Sequence, residues 1–165
     1  MEKLEEKDFE LNKIYWKDRN LIDCLKIRQN NLLSISKILN SLNIFHFLEG
    51  NTLNYLFSHG QLDLHDHDDD LGIFYKDRLK IINNLEKFIQ EDFQLIRNNK
   101  LMVSFCRSNR YIDICIFKKS FTKIGYGNKQ FPKQQFKSFA QVNYLDKEFN
   151  IPCGTSEMLK MRYEN

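Results

Sequence analysis

An acidic cluster that runs directly into an apolar segment is the feature of this sequence that most restricts its fold. Residues 64–74 read Leu-His-Asp-His-Asp-Asp-Asp-Leu-Gly-Ile-Phe. Because side chains alternate faces along an extended strand, Asp68 and Asp70 are predicted to point to one side and Asp69 to the other. Neighbouring carboxylates repel each other, and burying them unpaired is costly, so their position at the mouth of an apolar strand predicts a bound divalent cation.

Two other interpretations of the acidic cluster fit the sequence less well. An acidic run is usually a solvated loop, but here the apolar residues 71–74 follow at once, so Asp70 should lie at the entrance of a buried strand. An EF-hand calcium loop requires Gly at its sixth position and Glu at its twelfth, and neither fits a count from Asp66 or Asp68. Oxygen ligands alone suit Mg²⁺ or Mn²⁺, which are therefore the expected cofactors.

A third acid stands in the later apolar segment 111–117. Asp113 is surrounded there by Tyr, Ile and Cys, and a buried acid needs a partner. A salt bridge to Arg107 or Arg110 is one alternative. We favour metal ligation or base catalysis together with the upstream cluster, since carboxylates from two neighbouring strands can hold one or two cations that bridge phosphate oxygens.

A glycine turn lies upstream of the acids. Gly50-Asn51-Thr52 is predicted to open a helix whose N-terminal N–H groups and dipole attract phosphate, although Asn51 or Thr52 could simply cap an ordinary connection. His65 and His67 could bind a transition metal, but we expect no such role for them, with His67 the nearer candidate.

Length and charge set broad limits. A chain of 165 residues with 42% hydrophobic residues is expected to form a single domain over residues 1–165. A net charge of +3 is too small to indicate nucleic-acid binding. No apolar run approaches the roughly 20 residues of a membrane span, and the acidic start is unlike a signal peptide, so a cytoplasmic protein is expected. The four cysteines show no CxxC pairing and are predicted to be reduced core thiols.

Hydrophobic periodicity predicts an α+β fold, with helices packed against a mixed sheet. Its longest element is an amphipathic helix near the N terminus, from about Trp16 to Leu42, with Asp18 as a plausible N-cap. Residues 118–137 are predicted to be a loose segment. The other predicted elements are strands at 44–48, 71–75, 93–97, 101–106, 111–117 and 149–151, and helices at 51–58, 78–91 and 155–163.

The order of these motifs resembles the LicD/fukutin family within the nucleotidyltransferase-fold superfamily. Residues 47–53, Phe-Leu-Glu-Gly-Asn-Thr-Leu, resemble the family's first motif, and residues 66–74 resemble its metal motif. The tail at residues 151–163 is similar to the family's closing Pro-containing strand and helix. The resemblance covers roughly residues 32–163, and it implies a nucleotidyltransferase-like mixed β-sheet flanked by helices.

The resemblance also implies a LicD/fukutin-like phosphotransferase. Such an enzyme would transfer a phosphorylated alcohol, such as phosphocholine or ribitol phosphate, from a CDP-activated donor to a hydroxyl of a glycan or polysaccharide acceptor. By this resemblance Asp68 and Asp70 would ligate the metal, Asp113 would be the third carboxylate and a candidate base, and Asp66 would support them. The donor phosphate would be contacted by Gly50, Asn51 and Thr52.

Lysines of the segment 118–137 add a further candidate contact. Lys133, with Lys129 and Lys137, could hold the diphosphate or an anionic acceptor, although exposure to solvent is the usual state of such lysines.

Two other functions stay open from the sequence. A nucleotidyltransferase that moves the NMP half of an NTP would use the same metal geometry. A non-catalytic nucleotide-binding homologue is suggested by Ser58, where the family commonly has Arg.

Overall fold

A mixed β-sheet with flanking helices organises the chain, as predicted. The computed structural model describes residues 20–163. The elements are α1 (Leu21–Ser41), β1 (His46–Leu48), α2 (Gly50–His59), β2 (Asp68–Phe74), α3 (Arg78–Ile82), α4 (Leu85–Ile89), β3 (Gln94–Asn98), β4 (Met102–Arg107), β5 (Arg110–Lys119), β6 (Lys123–Tyr126), β7 (Lys129–Pro132), β8 (Phe139–Tyr144), β9 (Lys147–Pro152) and α5 (Thr155–Tyr163), with short 3₁₀ helices at Tyr75–Asp77 and Lys133–Phe136.

The main sheet has the strand order β1-β2-β5-β4-β3, and the hairpin β6–β7 extends it from β5. Strands β2 and β5 are parallel, and the other paired strands of the sheet are antiparallel. In the parallel pair Asp68 lies opposite Tyr111, and Asp70 lies opposite Asp113. Strands β8 and β9 form a separate antiparallel pair. The parallel register therefore places acids from two distant segments side by side.

Helix α1 packs its apolar stripe against the sheet. The helix begins at Leu21, where the Asn20 side chain accepts a hydrogen bond of 3.0 Å from the backbone N–H of Ile22. The predicted start at Trp16 and the predicted cap Asp18 lie outside the described residues. Fully buried side chains of this stripe each contribute roughly 1.5–3 kcal/mol of hydrophobic stabilisation. They include Leu32, Ile35 and Leu39.

The side chains of β2 and β5 alternate between the two sides of the sheet, and a hydrophobic cluster lies on each side. On the α1 side, Leu71 and Ile73 pack with Ile112 and Ile114. On the opposite side lies a mostly aromatic cluster that receives alternate residues of β5. Because Asp68, Asp70 and Asp113 follow the alternation of this second side, they lie at its edge. The second cluster contains Phe47, Cys115, Phe117, Ile124, Tyr126, Phe131 and Met158.

Three predicted elements differ from the structure. The predicted helix 78–91 is two short helices separated at Asn83 and Asn84, where the Asn84 side chain bonds back to the carbonyl of Lys80 (2.8 Å) instead of continuing the helix. The predicted loose segment 118–137 contains the hairpin β6–β7, which turns at Gly127 with φ +53°. The predicted strand stub 149–151 is the centre of β9, paired with the unpredicted β8.

The cysteines are free, as expected, but they are not all in the core. Cys24 and Cys115 are buried, Cys106 is half-buried and Cys153 is exposed. Within residues 20–163, no helix combines the length and the apolar character needed to cross a membrane.

Candidate functional site

Three carboxylates converge where β2 and β5 run in parallel. Asp68, Asp70 and Asp113 each place a carboxylate oxygen within 4.8 Å of the others, on the side of the sheet away from α1. Asp113 is buried, while Asp68 and Asp70 are half-buried at the edge of the aromatic cluster. The structure thus brings together the three acids that the sequence predicted as metal ligands.

The charges of these acids are unfavourable without a cation. Burial, together with the charges of Asp66 and Asp113, raises the pKa of Asp68 to about 7. Burial and its carboxylate neighbours also raise the pKa of Asp70 well above its ordinary value. Three clustered oxygen donors, of which Asp68 and Asp70 resist ionisation, fit a divalent cation of the Mg²⁺ or Mn²⁺ type, because such a cation replaces repulsion with attraction.

Asp113 is positioned by the antiparallel strands next to it. The Ser104 hydroxyl on β4 donates to one of its carboxylate oxygens, and Arg97 Nη1 on β3 lies 3.2 Å from the other. Arg107 and Arg110, the partners considered from the sequence, donate to residues of α1. Two donors hold the Asp113 carboxylate in one orientation toward Asp70.

Asp69 points to the opposite side, where it meets Arg28 of α1. The guanidinium donates to both carboxylate oxygens, at 3.1 and 2.7 Å, and both side chains are almost completely buried. Burial raises the pKa of Asp69 to about 6 despite Arg28, so Asp69 remains ionised at neutral pH. Arg28 was not singled out from the sequence, but it occupies the apolar stripe of α1 between Leu25 and Leu32, where a charge signals a buried partner.

Arg28 also holds the loop that precedes β2. Its Nη1 donates to the backbone carbonyls of Asp63 (2.6 Å) and Asp66 (2.9 Å). The same loop is held from the other direction by Asn51, whose side-chain amide donates to the Asp66 carboxylate at 2.6 Å. The predicted phosphate contact Asn51 thus orients Asp66.

The turn at Gly50 presses against the carboxylate of Asp70. Gly50 has φ +58°, and a Cβ at this position would lie 2.2 Å from Asp70 Oδ2. The buried Thr52 hydroxyl accepts from the backbone N–H of Asp70 (2.9 Å) and donates to Asp69 (3.3 Å). The hydroxyl of Thr52 is therefore engaged within the protein. Glu49, at the N-cap of α2, makes no capping hydrogen bond through its side chain.

A buried ion pair between Glu49 and Arg162 lies next to the Gly50 turn. Glu49 is fully buried, and its Oε1 accepts from Tyr126 (3.1 Å) and from Arg162 of the C-terminal helix α5. The backbone N–H of Glu49 donates to the carbonyl of Asp70 (3.2 Å). Neither Glu49 nor Arg162 was singled out from the sequence, because the contact joins segments that no local pattern relates. It connects α5 and the β6–β7 hairpin to the site.

Two of the lysines that were predicted to contact substrate differ in their position relative to the carboxylates. Lys133 is exposed on the 3₁₀ helix that follows β7. Lys129, at the start of β7, lies near enough for its charge to lower the pKa of Asp70, against the larger effect of burial. Lys129 is therefore the lysine that the structure relates to the carboxylates, and the role of Lys133 stays a prediction.

The raised pKa of Asp68 predicts a pH dependence of stability. A folded-state pKa near 7, against an ordinary value of 3.8, means that the metal-free native state binds this proton more tightly than the unfolded chain. The free energy of unfolding should therefore fall as pH rises from about 4 to about 7. Urea unfolding with a chelator present, compared between the wild type and Asp68→Asn, isolates the contribution. Equal slopes in the two proteins would contradict it.

Gly50→Ala should weaken metal binding. The added Cβ would displace the Asp70 carboxylate and would also strain a backbone at positive φ. We expect a loss of 1–3 kcal/mol in stability and a fall of about 10-fold or more in Mn²⁺ affinity, measured by calorimetry. Gly60→Ala is the matched control, because Gly60 also has positive φ (+68°) but its Cβ would meet nothing within 4 Å. If both variants bind Mn²⁺ equally well, Gly50 does not position Asp70.

Comparison with known proteins identifies the fold. No family model matches the chain, and no curated protein matches it. Among solved structures it is similar to the antibiotic-resistance factor ANT(2'')-Ia, an aminoglycoside nucleotidyltransferase, with a TM-score of 0.56 and 10% identity. The match covers 76% of this chain and 66% of that chain. The chain has a nucleotidyltransferase-like fold. The resemblance to LicD/fukutin in particular stays a prediction.

Proposed function

We propose that this nucleotidyltransferase-like protein is a metal-dependent nucleotidyltransferase that moves the NMP half of an NTP onto an acceptor hydroxyl. The observation that carries the proposal is the convergence of Asp68, Asp70 and Asp113 from two parallel strands beside the Gly50 turn. The likeness to ANT(2'')-Ia supports the fold on which such a site would be built.

Asp68, Asp70 and Asp113 would hold the cation, which when bound offsets phosphate charge and lowers the pKa of the attacking hydroxyl. Asp113, whose carboxylate accepts from Ser104 and pairs with Arg97, would also accept the acceptor's proton. At the N terminus of α2, backbone N–H groups that the Glu49 side chain does not cap would orient the donor phosphates. Such a reaction depends on positioning and electrostatics and needs no covalent nucleophile.

Transfer of a phosphorylated alcohol from a CDP-activated donor to a glycan is the second candidate function. The observation in its favour is that the two LicD/fukutin-like motifs meet at one place, where Asn51 of the first motif donates to Asp66 of the metal motif. Both reactions would use the same carboxylates. They differ in the group that is transferred, which is the NMP half of an NTP in the first reaction and the phosphorylated alcohol of a CDP-activated donor in the second.

Product analysis tests these functions. The full chain would be incubated with Mn²⁺ or Mg²⁺, each NTP, CDP-choline and CDP-ribitol, with aminoglycosides, polyols and glycans as acceptors. Release of diphosphate from an NTP supports nucleotidyl transfer, and release of CMP from a CDP-alcohol supports the second candidate. Nucleotide binding without turnover by any donor would favour a non-catalytic homologue and overturn both.

We further propose that residues 1–165 act as one domain in the cytoplasm. The four free cysteines support a reducing compartment. Limited proteolysis that releases a stable fragment carrying the whole site would contradict the single domain.

A further inference from the structure

The positive charges of the chain are concentrated in one segment. Residues 114–145 contain six lysines and no Asp, Glu or Arg. Because the whole chain has a net charge of only +3, the residues outside this segment carry a net charge of −3. The small net charge therefore hides a strong separation of charge along the sequence. The six residues are Lys118, Lys119, Lys123, Lys129, Lys133 and Lys137.

All six lysines are exposed, and among residues 20–163 no acid forms an ion pair with any of them. Protein surfaces usually intersperse charges of both signs, so an unmixed field of one sign favours a partner of the opposite sign. The lysines contact aromatic rings instead. The ammonium of Lys118 lies 4.7 Å from the ring centre of Tyr75, and that of Lys119 lies 4.8 Å from the ring centre of Phe74.

Two of these lysines lie on the side of the sheet that carries the carboxylates. Residues directly opposite each other in an antiparallel pair share one face of the sheet. Lys119 is opposite Ile124, and Lys129 is opposite Tyr126. Ile124 and Tyr126 belong to the second hydrophobic cluster, at whose edge the carboxylates lie.

The 3₁₀ helix at Lys133–Phe136 adds two more lysines to this side. Its Phe136 packs against the second cluster, while Lys133 at its start and Lys137 directly after it are exposed. Lys119 and Asp113 are six residues apart on β5, which is about 20 Å at about 3.3 Å per residue. The phosphates of one nucleotide held at the carboxylates would not reach Lys119, whereas a chain of phosphates would.

An exposed aromatic ring accompanies the lysines. Phe121 is 94% exposed in the turn after β5, and the Ser120 hydroxyl closes that turn by accepting from the backbone N–H of Lys123 at 3.1 Å. Lysines combined with exposed aromatic rings are typical of surfaces that bind single-stranded nucleic acid, because bases stack on such rings. A flat anionic membrane fits less well, since Asp113 is buried and only the end of a flexible strand would bring a hydroxyl to it.

We propose that the lysines of residues 118–137 bind the phosphate backbone of a single-stranded nucleic acid. The inference rests on the proposed function in one respect, namely that the terminal hydroxyl of the strand would be the acceptor. In that reaction the hydroxyl oxygen would bond to the α-phosphorus of the NTP, and its proton would pass to Asp113. The bond from that phosphorus to the bridging oxygen would break and release diphosphate.

Fluorescence anisotropy of a labelled oligo(dT) of about 12 nucleotides tests the binding surface. The titration uses the full chain with EDTA, so that it does not depend on a metal or on turnover. The variant Lys119→Gln/Lys133→Gln/Lys137→Gln should bind about 10-fold or more weakly at low salt. It should also flatten the slope of log K against log salt by about 2, because each phosphate contact to a single strand contributes roughly 0.7.

The matched control is Lys26→Gln/Lys37→Gln/Lys147→Gln. It removes the same charge from exposed lysines outside residues 114–145, so its affinity should change by less than about 3-fold. Equal losses in the two triple variants, or no binding of the oligonucleotide by the wild type, would overturn the inference. Lysine-dependent sedimentation with phosphatidylglycerol vesicles in the absence of oligonucleotide binding would also overturn it and would assign the surface to a membrane.

Turnover separates this inference from the proposed function. If the oligonucleotide binds as expected but no NTP releases diphosphate with any acceptor, the proposed function fails and the binding surface stands. If an NTP releases diphosphate with another acceptor while no oligonucleotide binds, the binding surface fails and the proposed function stands.

Discussion

Asp70→Asn should abolish turnover and the metal-induced rise in melting temperature while the protein stays folded. Asparagine has nearly the same shape, but it removes one of three converging carboxylate charges. Loss of a group that stabilises charge in the transition state typically lowers turnover by about 10²–10³-fold, and loss of a metal ligand should cost at least as much. Without metal, the variant should be at least as stable as the wild type, because one source of repulsion is gone. Thermal melts with and without Mn²⁺, together with donor turnover, measure both effects.

Asp146→Asn is the control for this substitution. Asp146 is exposed in the turn between β8 and β9, and its positive φ of +57° is one that Asn tolerates. The Asp146→Asn substitution should therefore leave activity and the response to Mn²⁺ unchanged. An Asp70→Asn protein that still turned over a donor at the wild-type rate would remove the carboxylates from the mechanism.

Arg28→Met should be among the most destabilising single changes in the chain. The substitution keeps much of the side-chain volume but leaves the Asp69 carboxylate buried without its bidentate partner. Breaking a buried ion pair in this way typically costs 3–5 kcal/mol. Urea or thermal unfolding measures the loss. The loop carrying Asp66 also loses its anchor, so Mn²⁺ affinity should fall in whatever fraction remains folded.

The double variant Arg28→Met/Asp69→Asn separates charge burial from packing. It removes both charges, so it should recover a substantial part of the stability lost in Arg28→Met, because no uncompensated charge is then buried. If Arg28→Met alone cost less than about 1 kcal/mol, the pair would not be the structural anchor described here.

The acidic residues of the site could be predicted from the sequence because the patterns that reveal them involve only neighbouring residues. Strand alternation separates Asp69 from Asp68 and Asp70, and an apolar context marks Asp113 as buried. What brings Asp113 to Asp70 is the parallel register of β2 and β5; the sequence predicted that the two strands are neighbours but not their direction or register. The sides to which these acids point follow from their residue type and from the two-residue period of a strand.

The supporting contacts could not be predicted in the same way. The pair between Glu49 and Arg162 joins residues that are 113 positions apart in the chain, and no spacing rule relates the two. The turn between β8 and β9 uses Leu145 at φ +50°, where Gly or Asn would have given a signal, so β8 went unpredicted. Gly127-Asn128 did carry such a signal, since Gly-Asn is a common two-residue hairpin turn.

The parallel pairing of β2 with β5 also determines when during synthesis the proposed metal centre could form. Parallel strands need a long crossover, and here α3, α4, β3 and β4 intervene along the chain. A chain leaving the ribosome cannot assemble the centre until β5 has been synthesised and inserted beside β2. A cation held by the proposed centre would stabilise the native form by mass action, so metal scarcity should reduce the cellular abundance of the protein through proteolysis.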